Sequence, residues 1–515
     1  MTSDRHDMRS SLDRLIARPD RAVLVLCAAQ ILFWTLAPIL SHRAPPLDMV
    51  EMYAYGHEGV VATYKNPNLP GLILDATRRL TGGAIWPAYV IAQLFVATAF
   101  VCVYALGRDL LGNARALAGT LLLTGIYFYS WRTPQLNNNL TQVPLWAGVC
   151  LALWRATTSG RLRWWLALGV VSGLVLWAEY SAVSVLVAAL VWMVADREAR
   201  RSFRTAGPWV ALAVFAVVVA PQIHFLIESD FLPLQYLDQL THDDDAEGPI
   251  VFVGAQLGMH VVMFIMAGVA GLYGAGAGRR DPGEARAREF LTIMGLGPVA
   301  VVVGVALATG QHLKDLSGMP MFNLSGLLLL AWFPGRFDAV SLRRLARFAA
   351  VLLVVVPLGY VALQWTEPWT TGDAHRVHWP HRAIAEELTG IYERETGRPP
   401  RIVAGPVWDA GVVALGSRAD LSVFIDADPS KSPWIAPEDV ARHGVLVVWT
   451  AWEKPPERVL RFIGDAPIRS LDFSWSSNED APPIRLAYVI IPPYPPAIGF
   501  GPDDSSARSA NGREH

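Results

Sequence analysis

The chain has 515 residues, of which 53% are hydrophobic and only 17% charged, with a net charge of −2 and a mean hydropathy of +0.32. A soluble globular chain carries about 25% charged residues, so this composition excludes an ordinary soluble protein and indicates a membrane protein. The charge balance offers no basic surface for nucleic acid, and Cys27, Cys102 and Cys150 all lie in apolar runs, where they read as core residues rather than a disulfide framework or metal site.

Arg5, Arg9, Arg14, Arg18 and Arg21 precede the first apolar run, which reads as a retained signal anchor with its start in the cytoplasm. Apolar runs of about spanning length then recur near 22–41, 86–106, 115–130, 140–155, 164–178, 180–195, 207–227, 250–273, 290–309, 320–335 and 347–365. The expected architecture is a polytopic α-helical membrane protein with about eleven spans. Arginines cluster in alternate loops: Arg108 and Arg115; Arg155, Arg161 and Arg163; Arg197 to Arg204; Arg279 to Arg288; Arg336 to Arg347. The short loops between them hold only Arg132 and Lys314, a bias that follows the positive-inside rule. It assigns Pro45–Ile73, the loop around Arg132, "THDDDAEG", "HLKDLSGMP" and everything after Trp365 to the outer face.

The first outer segment, "PPLDMVEMYAYGHEGVVATYKNPNLPGLI", carries the most unusual content. Asp48 and Glu51 are three apart and share a face if the segment is helical. A partly desolvated carboxylate suits the removal of a proton from an acceptor hydroxyl; the alternative is an interfacial helix with a solvated acidic face. Lys65 follows in a Pro-broken turn, as a phosphate contact or a snorkelling lysine. In "YSWRTPQLNNNLTQVPLW", Arg132 suits bidentate phosphate binding and the Asn137–Asn139 run suits sugar hydroxyls; an Asn run also caps helices. Glu179 and Tyr180 stand at the outer end of a span, the carboxylate being a functional candidate or simply solvated. His312 and Lys314 precede another span, where a rare outer cation suggests a phosphate partner. "THDDDAEG" has carboxylates for a divalent cation, although such charge runs are more often solvated. His375, His378 and His381 have metal-like spacing, interrupted by Pro380. No metal or other cofactor is assigned.

Beyond Trp365, short β-rich runs ("RIVAG", "LSVFI", "GVLVVW", "LAYVIIP") alternate with helical stretches, which indicates a small C-terminal α/β soluble domain. The domains are drawn at 1–365 (membrane), 366–500 (α/β) and 501–515 (a disordered tail). No Walker or G-x-G-x-x-G spacing is present, which argues against an ATP-driven pump.

Taken together these segments resemble the polyprenol-phosphate-sugar-dependent glycosyltransferases of the GT-C class. The nearest are the bacterial relatives of protein O-mannosyltransferases and of the lipid A aminoarabinose and galacturonic acid transferases. The resemblance rests on Asp48, Glu51, Tyr53, Tyr55, Tyr64 and "NPNL" in the first loop, on "RTPQLNNNLTQVPLW", on "EYSA" and on "KDLSGMP". Asn66 and Asn68 stand where that family usually has His, Lys or Gln and a second Pro, and Glu179 stands where Lys is common. The resemblance implies transfer of a sugar from a polyprenyl-phosphate donor to an envelope lipid, glycan or protein acceptor. The reaction would take place on the periplasmic face of a bacterial inner membrane. Asp48 would be the base, with Glu51 orienting the acceptor or sugar. Lys65, Arg132 and Lys314 would contact the donor phosphate, and Tyr55, Asn138, Glu179 and His312 would contact substrate. The alternatives are a transporter or flippase for an envelope lipid or glycan, and a catalytically inactive scaffold of the same fold.

Overall fold

The computed structural model describes residues 12–240, 248–273, 282–333, 337–370, 375–452, 454–475 and 482–493. The acidic run at 243–245 and the tail at 501–515 lie outside the described residues. By Cα packing the chain forms two compact units. One is Met1–His42 with Gly59–Glu367; the other is Arg43–Glu58 with Pro368–His515.

The first unit is helical. Each apolar run expected from the sequence contains helix, and the described helices that are long and apolar enough to cross are fewer than the eleven expected runs. Among the described residues, five helices are long and apolar enough to cross a membrane: Pro19–Ser41, Trp86–Leu111, Gly207–Glu228, Gly283–Thr309 and Ala339–Thr370. A sixth span is counted if Pro249–Met259 and Val261–Val269, bent by 40° at His260, are one broken helix. Leu162–Ala178 and Tyr180–Ala195 are apolar but short. The run near 320–335 is a 3-10 segment, Asp315–Phe322, followed by a helix of eight residues, Ser325–Trp332. Gly318 and Pro320 disfavour a regular helix there.

Small residues set the closest helix contacts. Leu162–Ala178 packs on Gly207–Glu228 through Gly169 and Gly173, where added Cβ atoms would run into Val214 and Val218. Without a hydrophobic drive between helices in lipid, such close approach supplies the dispersion contact that holds them. At one end of this unit Arg286 donates to both oxygens of Asp196 (2.9 and 3.0 Å). Its guanidinium lies over Trp154 and Trp192. A bidentate pair stacked on indoles neutralises charge that an apolar bundle would otherwise reject.

The second unit is the α/β fold that the alternating pattern indicates. Strands β1 (Ile402–Gly405), β2 (Ser422–Ile425), β3 (Val445–Thr450), β4 (Arg469–Phe473) and β5 (Ile484–Ile491) form one sheet in the order β2-β1-β3-β5-β4. β1 pairs in parallel with β2 and β3, and β5 runs antiparallel to β3 and β4. Ala404, Phe424, Val447, Trp449 and Val489 share its core with Val459 and Ile463 of a covering helix. Leu47–His57 belongs to this unit, although it lies far upstream in sequence. It packs on the helix Val407–Gly416, where Gly411 leaves room for the Val50 side chain.

Candidate active site

The acidic candidates lie in the second unit. Pro46 precedes the first turn of Leu47–His57, so Asp48 and Glu51 do share a helical face. Asp48 stands in the first turn of this helix. Glu51 accepts a hydrogen bond from the Tyr55 hydroxyl one turn on (2.8 Å). Tyr55 is buried, with its ring edge against Trp434; this geometry makes it a support for Glu51. Glu58 ends the segment against the edge strand β2. Burial pushes its carboxyl up to about 7 and the nearby Asp420 adds to the rise, against hydrogen bonds from Ser422 and Val423 that favour the charged form. No local pattern marks Glu58, because the strand that buries it lies several hundred residues away.

In the first unit Lys65 lies at the tip of a hairpin. Thr63 N–H donates to the Asn66 carbonyl (2.9 Å), and Thr63 Oγ1 accepts from the backbone N–H of Lys65 and Asn66 (3.2 and 3.3 Å). Asn68 closes the base: its backbone N–H donates to the Val61 carbonyl (3.0 Å) and its side chain to the Val60 carbonyl (2.8 Å). Pro67 keeps the segment out of a helix until Leu69, and Pro70 sits in the first turn of the helix Leu69–Leu80, where proline is tolerated. The Lys65 ammonium lies 5.5 and 5.8 Å from the ring centroids of Tyr64 and Tyr236.

Both legs of the hairpin are held from outside. Asn138 is buried, and its amide nitrogen donates to the Pro67 carbonyl (2.9 Å) and the Ala178 carbonyl (2.7 Å). Gln222 donates to the Val61 carbonyl (2.9 Å) and accepts from the Tyr180 hydroxyl (3.3 Å). Three sequence candidates, Lys65, Asn138 and Glu179, are thereby brought into one hydrogen-bonded knot. Asn138 uses its nitrogen on backbone; the helix cap expected of the Asn run is supplied by Asn137, which accepts from the Leu140 N–H (3.0 Å). Glu179 caps the 3-10 turn Tyr180–Ala182 by accepting from the Tyr180 N–H (3.0 Å), and burial raises its carboxyl to about 7.

Arg132 belongs to a second arrangement. Its neighbour Trp131 meets the Tyr360 ring edge-on at 4.9 Å, and Arg132 and Glu367 are within electrostatic reach of the Tyr360 hydroxyl. His42, absent from the sequence candidates, bridges the hydroxyls of Tyr89 (3.1 Å) and Tyr360 (2.7 Å). Lys314 belongs to a third arrangement. It is exposed, like His312, and immediately precedes the 3-10 segment, whose Asp315 carbonyl accepts from Gln256 (3.0 Å).

The clustered histidines of the second unit do not form a metal cradle. Burial lowers His378 and His381 to about 4, so both are neutral. Among the described residues no three His, Cys, Asp or Glu side chains are grouped to hold an ion.

Residues 65–225 match the family model described as dolichyl-phosphate-mannose-protein mannosyltransferase. Two crystal structures of ArnT from Cupriavidus metallidurans, one bound to undecaprenyl phosphate and one in the apo state, share the fold of the chain. Each has a TM-score of 0.61 at 13% identity, covering 90% of this chain and 97% of that chain. No curated protein matches the chain by sequence. The fold is thus the GT-C fold that the outer segments resemble, in a multi-pass membrane protein, and the family match supports a glycosyltransferase. The matched segment begins at Lys65 and takes in Arg132, Asn138, Glu179 and Gln222.

Proposed function

We propose that the protein transfers a sugar from a polyprenyl-phosphate donor to a hydroxyl of an envelope lipid, glycan or protein on the outer face of a bacterial inner membrane. The acceptor oxygen attacks the anomeric carbon and the bond from that carbon to the phosphate oxygen breaks. The electron pair leaves on the phosphate, and Asp48 takes the acceptor proton. Lys65 binds the donor phosphate, with Arg132 and Lys314 as further contacts. Glu51, held by Tyr55, orients the acceptor or sugar.

The observation that carries this reading is the Lys65 hairpin. A lysine at the tip of a turn, clamped on both legs by buried amides, opens the segment that matches a family of lipid-phosphate-sugar enzymes. The ArnT structure bound to undecaprenyl phosphate supports a polyprenyl monophosphate carrier. Purified protein in nanodiscs should transfer sugar from a polyprenyl-phosphate donor and not from a nucleotide sugar. Direct use of a nucleotide sugar without lipid carrier overturns the assignment.

The reading also requires a cytoplasmic N-terminus and an outer second unit. A phosphatase fused after Arg398 should be active outside the cytoplasm. Activity only on the inner side would remove Asp48 from the face where the sugar is accepted. The broken span at His260 favours a transporter, in which polar groups interrupt a helix near mid-membrane. There, however, His260 donates to the Gln256 carbonyl (2.7 Å) and accepts from Ser325 (3.1 Å), so its ring is engaged in holding the break. Carrier movement across vesicles without any sugar transfer would establish that second reading.

A further inference from the structure

Among the described residues, five glutamines lie inside the apolar helices of the first unit with at most 3% of their surface exposed: Gln30, Gln93, Gln142, Gln222 and Gln256. A buried amide without partners costs roughly 1–3 kcal/mol, so each must find backbone or side-chain polar groups. Four of them, Gln30, Gln93, Gln222 and Gln256, find a carbonyl in a loop that carries one of the candidate cations. Gln93 donates to the Thr133 carbonyl (3.0 Å), the residue after Arg132. Gln30 donates to the Tyr129 carbonyl (3.2 Å) at the start of the same loop, and to Gln93 Oε1 (3.0 Å), which fixes the orientation of the Gln93 amide. Gln222 donates to the Val61 carbonyl on one leg of the Lys65 hairpin. Gln256 donates to the Asp315 carbonyl, the residue after Lys314, and lies so close to this segment that a Cβ on Gly318 would overlap its amide.

This is not simply where buried glutamines go. Gln142, equally buried, accepts from Trp146 one turn along its own helix. The four others come from four different helices, and each reaches a loop remote in sequence from itself.

We propose that Gln30, Gln93, Gln222 and Gln256 are positioning residues, which set the backbones of the Arg132, Lys65 and Lys314 loops so that their side chains meet the phosphate of a polyprenyl monophosphate. The proposal rests on the donor-phosphate role given to those cations above. A cation on a long side chain binds a phosphate weakly if its backbone wanders, because the ordering cost falls on binding. Clamping the loop in advance removes part of that cost.

The test uses the full chain in nanodiscs carrying a polyprenyl monophosphate, with binding measured directly so that neither sugar nor acceptor need be known. Gln93→Met, Gln222→Met and Gln256→Met keep side-chain volume and remove the donor. Each should weaken binding about 3- to 30-fold, the range expected for losing one buried hydrogen bond. The double variant Lys65→Ala/Gln222→Met should bind no more weakly than Lys65→Ala alone, because a residue that acts through Lys65 has nothing left to position. A purely structural glutamine would lower the melting temperature and leave phosphate binding unchanged, or add its loss to that of Lys65→Ala; either result overturns the proposal. If Gln222→Met fails to accumulate, Gln222→Glu, which keeps the acceptor for Tyr180, is put through the same measurement and decides the matter. Wild-type binding by Lys65→Ala, Arg132→Ala and Lys314→Ala would overturn the donor-phosphate reading itself. Weak binding by those three with wild-type binding by the glutamine variants would overturn the positioning role alone.

Discussion

Between Leu47 and His57 the chain is a helix held by apolar packing; between Val60 and Asn68 it is a hairpin held by hydrogen bonds. The helix rests on Val407–Gly416 through a Val50–Gly411 approach, and Tyr55 donates to Glu51 along its face. The hairpin takes its shape from Thr63 and Asn68, and its place from Asn138 and Gln222. Neighbouring segments of one sequence therefore belong to different packing units and are fixed by different physics. Apolar packing is non-directional and sets the helix as a rigid piece, whereas directional bonds set the Lys65 backbone residue by residue. If the acids perform chemistry and the cations hold the donor, substitutions in the two segments should separate by kinetic parameter.

The largest effect belongs to the helix. Asp48→Asn should lower the transfer rate by about 10²–10⁴-fold, the usual loss on removing a general base, with the donor KM little changed and the protein present at normal levels. Asn is nearly isosteric but takes no proton at neutral pH. Near-normal turnover would return this helix to an interfacial element with a solvated acidic face. Next comes the hairpin. Lys65→Ala should lower kcat/KM by about 10- to 100-fold, the scale of one charge-assisted hydrogen bond of about 1.5–3 kcal/mol. Most of this loss should appear in the donor KM. A loss confined to kcat, with donor binding intact, would erase the distinction between the two segments.

The sequence disclosed these regions unequally. Composition and apolar runs disclosed the membrane bundle, and alternating β-rich and helical runs disclosed the α/β unit, since both follow from local periodicity. Asp48, Glu51 and Lys65 stood out because charge is rare beside such apolar runs. The partition of Pro45–Ile73 between two units was not legible: it depends on Val50 meeting Gly411, a contact that no local pattern encodes. Gln222 and Gln256 were invisible for the opposite reason, being single polar residues inside apolar runs whose partners are backbone carbonyls in distant loops. His42 carries no local signal, because its partners Tyr89 and Tyr360 are not near it in sequence.

A smaller effect tests the apolar side of the comparison. By helix propensity alone, Gly411→Ala should stabilise the second unit by about 1 kcal/mol. A Cβ at Gly411 would, however, lie 2.6 Å from Val50 Cγ1, and overpacking of this kind costs typically about 1–3 kcal/mol. The expected sign is therefore destabilising: hydrogen exchange should quicken in Leu47–His57 while polyprenyl-phosphate binding through Lys65 is unaffected. Adding Val50→Ala should restore protection. Slower exchange in Gly411→Ala alone would show that packing at this approach does not hold the helix.

The smallest effect is the pH dependence contributed by Glu58. Its carboxyl is raised to about 7 from an ordinary 4.5, chiefly by burial and further by Asp420; His57, which lies 3.6 Å from that same aspartate, is the other titratable group nearby. Between these two values the folded chain binds more protons at this position than the unfolded chain does, so stability falls as pH rises. The contribution is full below about 4.5 and is lost as pH passes through about 7. Because Glu58 is only partly buried and accepts from Ser422 and Val423, the amount is on the order of 1–2 kcal/mol rather than the value its full shift would give. Glu58→Gln stays neutral at every pH and can keep a hydrogen bond to Ser422. The variant should therefore match wild type near pH 5 and melt at a higher temperature near pH 8. A wild-type stability profile that is flat from pH 5 to 8, or a variant that loses stability at pH 8, would show that β2 does not desolvate this carboxyl. Such a result would also weaken the view that Leu47–His57 is seated by burial within the second unit.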